Sequence, residues 1–194
     1  MIALGLRAHP QHVTFAVVAA ADLPSIQTVS CVRMPAALHL PEQLAFVRTM
    51  LLDIVREHQV TEAGVRTTEP LVRRPNVVRA SLEGVLQELL GAGTVPRYFA
   101  GPLARMGGLL RLTATEVKKH IDGHISPHGV DGWAQKYDAE QREAILAALA
   151  ALRLERPRLT TLAPDDSHTG SEPVPVLDTI SPITHTSARS AIAC

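Results

Sequence analysis

Three runs rich in Val, Ile, Leu and Ala follow one another within residues 2–34, and the breaks between them are very short. The runs cover residues 2–8, 12–20 and 26–34; His9-Pro10-Gln11 and Asp22-Leu23-Pro24 separate them. A parallel neighbour needs a crossover of a dozen or more residues, so strands joined this closely must pair antiparallel. In the third run Ile26, Thr28, Ser30 and Val32 alternate with Gln27, Val29, Cys31 and Arg33, the period of two that a strand imposes. The chain therefore opens as an antiparallel meander, and the rest must extend and cover that sheet.

Helix and strand then alternate. Pro41 opens a helix to about residue 58, in which Leu44, Val47, Leu51, Ile54 and Val55 recur at helical spacing. Glu42, Arg48, Asp53 and Arg56 fall on its other side. A fourth strand is expected over residues 62–68. A helix over 77–90 follows, with Asn76 at its start and Gly91 and Gly93 at its end. Within it Gly84 is expected to let the helix pack closely on the sheet while the acids Glu83 and Glu88 face water; the alternative is that Glu83 faces the cleft and replaces a lost acid. A fifth strand spans 95–100, and short helical pieces are expected over 102–110 and around 115–120. Residues 123–132 are rich in Gly, His and Pro and read as a loop. Residues 138–153 read as an amphipathic helix whose Ile145, Leu146, Leu149 and Leu152 share a face.

From about Glu155 the composition shifts to Pro, Ser, Thr and His, which cannot bury enough apolar surface to offset the entropy of ordering. The division expected is one domain over 1–153 and a disordered tail over 154–194. Two short apolar pieces of the tail, at 174–177 and 180–183, would suit docking segments, or nothing more than an unstructured end. With 194 residues, 46% of them hydrophobic, the chain can bury one full core. Its net charge of zero excludes a strongly electrostatic, non-specific nucleic-acid binder, so any phosphate contact must come from a local patch. Cys31 and Cys194 read as unpaired, with no disulfide and no thiolate metal site. No secretory leader and no membrane span is apparent, and a cytoplasmic protein is expected.

This order of elements, with the residues that punctuate it, resembles the ribonuclease H-like superfamily, and within it the RuvC-type Holliday-junction resolvases, over roughly residues 1–153. Leu4-Gly5-Leu6-Arg7 is similar to the resolvase opening Leu-Gly-Ile-Asp. Ala63-Gly64-Val65-Arg66 is similar to the fourth-strand signature, which ends in Glu. Asn76 with Gly84-Val85-Leu86 and then Val95-Pro96-Arg97-Tyr98 resemble the next helix and strand. Val117-Lys118-Lys119 with Asp122-Gly123, and Glu143-Ala144-Ile145-Leu146-Ala147, resemble the segments that close the fold. The resemblance implies a mixed five-stranded sheet flanked by helices. It also implies two Mg²⁺ ions held by carboxylates of the first strand, the fourth strand and the last helix.

The departures decide the chemistry. Arg7 and Arg66 stand where the first two carboxylates belong, and Glu143 alone stays acidic; no Asp or Glu precedes Asp22. An arginine stays protonated, so metal-dependent cleavage at this place is not expected, and neither is a metal cofactor. Three roles for the arginines remain open. They pair with Glu143 and Glu69 as a neutral replacement for the ions, they hold phosphate oxygens bidentately, or they snorkel from strand ends.

The expected function is a catalytically degenerate domain that binds nucleic acid or serves in an assembly. Possible partners are DNA or RNA, another protein chain, or a second copy. Arg7, Arg66, Arg73, Arg74 and Arg79, extended by Lys118 and Lys119, are the candidate phosphate contacts. One competing reading is a Mg²⁺- or Mn²⁺-dependent endonuclease with a rearranged site of Glu69, Glu83 and Glu143. A protein-interaction scaffold is the other. His120, His124 and His128 with Asp122 and Asp131 suggest a metal site on spacing alone. Gly123 and Pro127 break the helix that would align them, so a loop of titrating histidines is the plainer reading.

Overall fold

The structure, a computed structural model, describes residues 1–71, 74, 76–127 and 130–154. Strands β1 (Ile2–His9), β2 (His12–Ala19) and β3 (Ser25–Arg33) form the expected meander, β1 with β2 and β2 with β3 antiparallel. β4 (Glu62–Arg66) adds to the free side of β1, and β5 (Arg97–Gly101) adds to β4, both parallel. The sheet order is β3-β2-β1-β4-β5. Crossovers containing α1 (Leu40–Glu57) and α2 (Val77–Leu89) supply the parallel connections. β4 is shorter than expected, five residues, and β5 begins two residues late, because Val95 and Pro96 belong to the turn that leads into it. Between α2 and that turn, Leu90–Thr94 form a wide π-type turn in which Gly93 takes φ 80°.

Strand alternation splits the core into two layers. Leu4, Leu6 and Ala8 of β1 and Val13, Phe15 and Val17 of β2 face α1 and α2, where Val47, Leu51, Leu82 and Leu86 are buried. Ala3, Ala16, Val18 and Phe99 face the opposite layer. That layer holds α6 (Ala139–Ala151), with α3 (Leu103–Leu110), α4 (Ala114–Ile121) and the single turn α5 (Trp133–Lys136).

The expectation of an amphipathic last helix is corrected here. In α6 the residues Arg142, Ala144 to Ala148, Ala150 and Ala151 are buried, so apolar positions run round the helix. The reason is its place: it lies on β1, β2 and β4 and is itself packed by α3 and α4. Its alanines let the backbone come very close to the sheet. A Cβ built on Gly5 would stand 1.8 Å from the Ala144 carbonyl oxygen, and one on Gly64 would stand 2.4 Å from that of Ala147. Glycine at both strand positions therefore sets the height of α6, and with it the reach of every side chain from its first turns. Asp138 caps this helix by accepting from the Gln141 N–H at 2.8 Å, in a reciprocal capping box that fixes where α6 starts.

Candidate functional site

Arg7 and Arg66 are paired in register at the C-terminal ends of the parallel neighbours β1 and β4. Both are buried, 7% and 4% exposed, on the face that carries α6. Above them α6 delivers Glu143, whose carboxylate touches Arg7 Nε and lies 3.8 Å from Arg66 Nε. Arg66 Nη2 is 2.8 Å from Glu69 in the loop after β4, and Glu69 also accepts from the Leu103 N–H at the start of α3. Arg7 Nη1 donates to the Arg66 carbonyl at 3.1 Å and lies 3.9 Å from Glu83 of α2. Glu83 in turn accepts from the backbone N–H and hydroxyl of Thr68, both at 2.8 Å, and lies 3.8 Å from Arg79. Arg79 Nε donates to the Ala8 carbonyl at 2.8 Å.

These contacts join Arg7, Arg66 and Arg79 to Glu69, Glu83 and Glu143, three charges of each sign, so the cluster is neutral without an ion. Burial, with the nearby charges of Arg66 and Arg79, lowers the Arg7 pKa to about 10 against the opposing pull of Glu143 and Glu83. The guanidinium therefore stays charged at neutral pH, and it must be paired where it stands. Pairing is incomplete: Arg66 Nε and Nη1, and Arg7 Nε despite its contact with Glu143, are buried donors without a hydrogen-bond acceptor among the described residues.

The donor set does not fit the divalent ions that a resolvase resemblance implies. A guanidinium and a divalent cation about 4 Å apart repel by roughly 8 kcal/mol at an effective dielectric of ~20. Two arginines occupy the strand ends, and Glu143 is already shared between them.

Of the other candidate residues, the described ones make no hydrogen bond or ion pair with this cluster. Arg74 is exposed in the loop after β4, and Arg73 lies outside the described residues. Lys118 and Lys119 are exposed on α4, and no hydrogen bond or ion pair among the described residues ties them to the arginines. Two expectations for α2 are corrected. Glu83 is buried toward the cluster instead of facing water, because Thr68 supplies it with two donors; Glu88 does face water and pairs with Arg48 at 2.7 Å. Gly84 is exposed, with nothing within 4 Å of where a Cβ would be, so it mediates no close packing.

In the histidine segment the helix ends before Gly123 as expected, and only the place of His120 departs from a loop. α4 runs through Ile121, and Gly123 at φ 82° turns the chain away. His120 is buried at the end of that helix, its Nδ1 2.9 Å from the Ile125 carbonyl, while its own carbonyl accepts from Trp133 Nε1 at 2.7 Å. His124 is exposed beyond the helix, and His128 lies outside the described residues, as do Cys194 and the tail from residue 155.

A different histidine pair does converge, and sequence reasoning missed it. His9 and His12 flank the two-residue turn between β1 and β2, paired in register, with stacked rings 4.6 Å apart. Glu140 of α6 meets them: its carboxylate is 2.7 Å from His12 Nε2 and 3.9 Å from His9 Nε2. The spacing His-Pro-Gln-His across a tight turn was the available signal, since it must bring both rings to one face of the sheet.

No protein-family model matches the sequence, and no curated protein matches it. Solved structures do match by shape. RuvC of Thermus thermophilus, both alone and in complex with a Holliday-junction substrate, superposes with a TM-score of 0.57 at 13% identity over 79% of this chain and 94% of that one. The yeast mitochondrial Holliday-junction resolvase Ydc2 gives a TM-score of 0.48 at 13% identity, over 78% of each chain. With the sheet order, the parallel addition of β4 and β5 and the last helix lying across β1 and β4, this likeness identifies the architecture: the chain has a ribonuclease H-like fold of the RuvC type.

Proposed function

We propose that this chain is a nuclease-fold protein that binds without cutting, a nucleic-acid-binding or assembly subunit whose catalytic centre is replaced by a structural ion-pair cluster. The observation that carries the reading is the neutral set of three arginines and three glutamates at the ends of β1 and β4. It does mechanically what bound ions would do, tying the last helix to the strand ends, and it leaves no carboxylate free to activate water.

Nucleic acid is the favoured partner because a fold neighbour is described in complex with a Holliday-junction substrate. Arg7, Arg66 and Arg79 are committed to internal contacts, so phosphate contacts fall to Arg74, Lys118 and Lys119, with Arg73 beside Arg74 in sequence. The rearranged endonuclease would draw on Glu69, Glu83 and Glu143, which join one cluster through its arginines without gathering within metal-ligand reach of one another. Each is held by an arginine, which is why binding is preferred.

Fluorescent branched, duplex and single-stranded DNA and RNA, titrated at several salt concentrations, test the reading. Salt-sensitive binding is expected, and each phosphate-contacting residue changed to Ala should lower the log–log salt slope by about 1. Absence of binding at low salt would turn the proposal toward a protein-interaction scaffold.

A further inference from the structure

We propose that His9, His12 and Glu140 form a binding site for a divalent transition ion, Zn²⁺ first, with a coordination position open to an adjoining polar cleft. The three ligand atoms lie within 4.8 Å of one another. Zn–N and Zn–O bonds of 2.0–2.1 Å in a tetrahedron require ligand atoms about 3.3 Å apart. Glu140 Oε2 stands 2.7 Å from His12 Nε2 and Oε1 stands 3.9 Å from His9 Nε2, so a turn of the carboxylate is what brings one oxygen to that spacing from both rings. Two imidazoles and one carboxylate suit Zn²⁺ and its neighbours, and disfavour Mg²⁺ and Ca²⁺, which prefer oxygen alone.

The scaffold holds these ligands firmly. His9 and His12 sit at the closing pair of a β-hairpin, and Glu140 lies in the first turn of a helix whose start is fixed by its cap. The Thr14 hydroxyl, 3.4 Å from Glu140 Oε2, orients the carboxylate from β2. Ligation through His9 Nε2 requires a proton on His9 Nδ1. The contact this displaces is weak, an N–H of Gln11 at 3.4 Å. The three side chains are 25–35% exposed, so an ion can enter from solvent.

Beside them a cleft of about 620 Å³ is lined by His12, Thr14, Cys31, Arg33 and Gln141, among others. The open coordination position faces that space, and Arg33, cross-strand from His12, favours an anionic fourth ligand there. This site is separate from the arginine cluster and independent of the proposed function.

The test is titration of the full chain, freed of metal with a chelator, with Zn²⁺ and then Co²⁺. One saturable equivalent is expected, and the Co²⁺ complex should show visible ligand-field bands without a thiolate charge-transfer band. His9→Ala, His12→Ala and Glu140→Ala should each weaken binding by at least about 10-fold, no less than the loss of an outer-shell partner costs. His124→Ala should change nothing. Should those variants fold poorly, Co²⁺ broadening of the histidine ring resonances in the unaltered chain decides: His9 and His12 must broaden first. No saturable binding, a thiolate band, binding unchanged in His12→Ala, or broadening centred on other histidines would overturn the site.

Discussion

Neutralising Glu143 gives opposite signs for a retired centre and a working one. In a centre built of carboxylates, Glu143→Gln relieves like-charge repulsion and stabilises the metal-free protein. In this structure Glu143 is the counter-charge shared by Arg7 and Arg66, both nearly inaccessible. The attraction lost toward Arg66 alone, at 3.8 Å, is about 4 kcal/mol gross at an effective dielectric of ~20. Net of desolvation, breaking a buried pair by removing one partner costs roughly 3–5 kcal/mol. For a domain of this size that lowers Tm by about 6–20 °C, at 2–4 °C per kcal/mol. Urea and thermal unfolding of Glu143→Gln, Arg7→Met and the double variant give the coupling energy. The double variant should regain most of the loss, since it removes both charges together. A Glu143→Gln variant as stable as the parent, or more so, would refute the charge-balance argument.

Three further outcomes follow from packing. Gly5→Ala should destabilise by about 3 kcal/mol or more in chemical denaturation, since its Cβ meets the Ala144 carbonyl at 1.8 Å and α6 must lift. Gly84→Ala should stabilise by about 0.5–1 kcal/mol in the same assay, because the position is helical, exposed and open. Arg142→Met should cost about 3 kcal/mol and loosen α4 and α5 in hydrogen exchange, as the buried guanidinium donates to the carbonyls of Ile121, Tyr137 and Ala134.

The meander and the alternation after it were legible because turns and side-chain periods are local. The π-type turn at Leu90–Thr94 was marked in advance only by Gly91 and Gly93. The last helix was misjudged for a physical reason. Ile145, Leu146, Leu149 and Leu152 suggest one apolar face, yet Ala144, Ala147, Ala148 and Ala151 are buried as well, and alanine carries little hydrophobic signal. Arg7, Arg66 and Glu143 could be singled out by position within a resemblance. That Glu83 turns inward depends on Thr68, whose donors come from a loop 15 residues earlier. His9 and His12 are neighbours across a turn, but Glu140 lies 128 residues beyond His12, and only the tertiary fold supplies it.

The most direct measurement of the central claim is incubation of the purified chain with branched and duplex DNA and RNA in Mg²⁺ and in Mn²⁺, resolved for cleavage products, alongside Glu143→Gln. The account predicts retained, salt-sensitive complexes and uncut strands in every tube. Metal-dependent cleavage that disappears with Glu143→Gln would contradict it, and would place a working centre among the glutamates that the arginines hold.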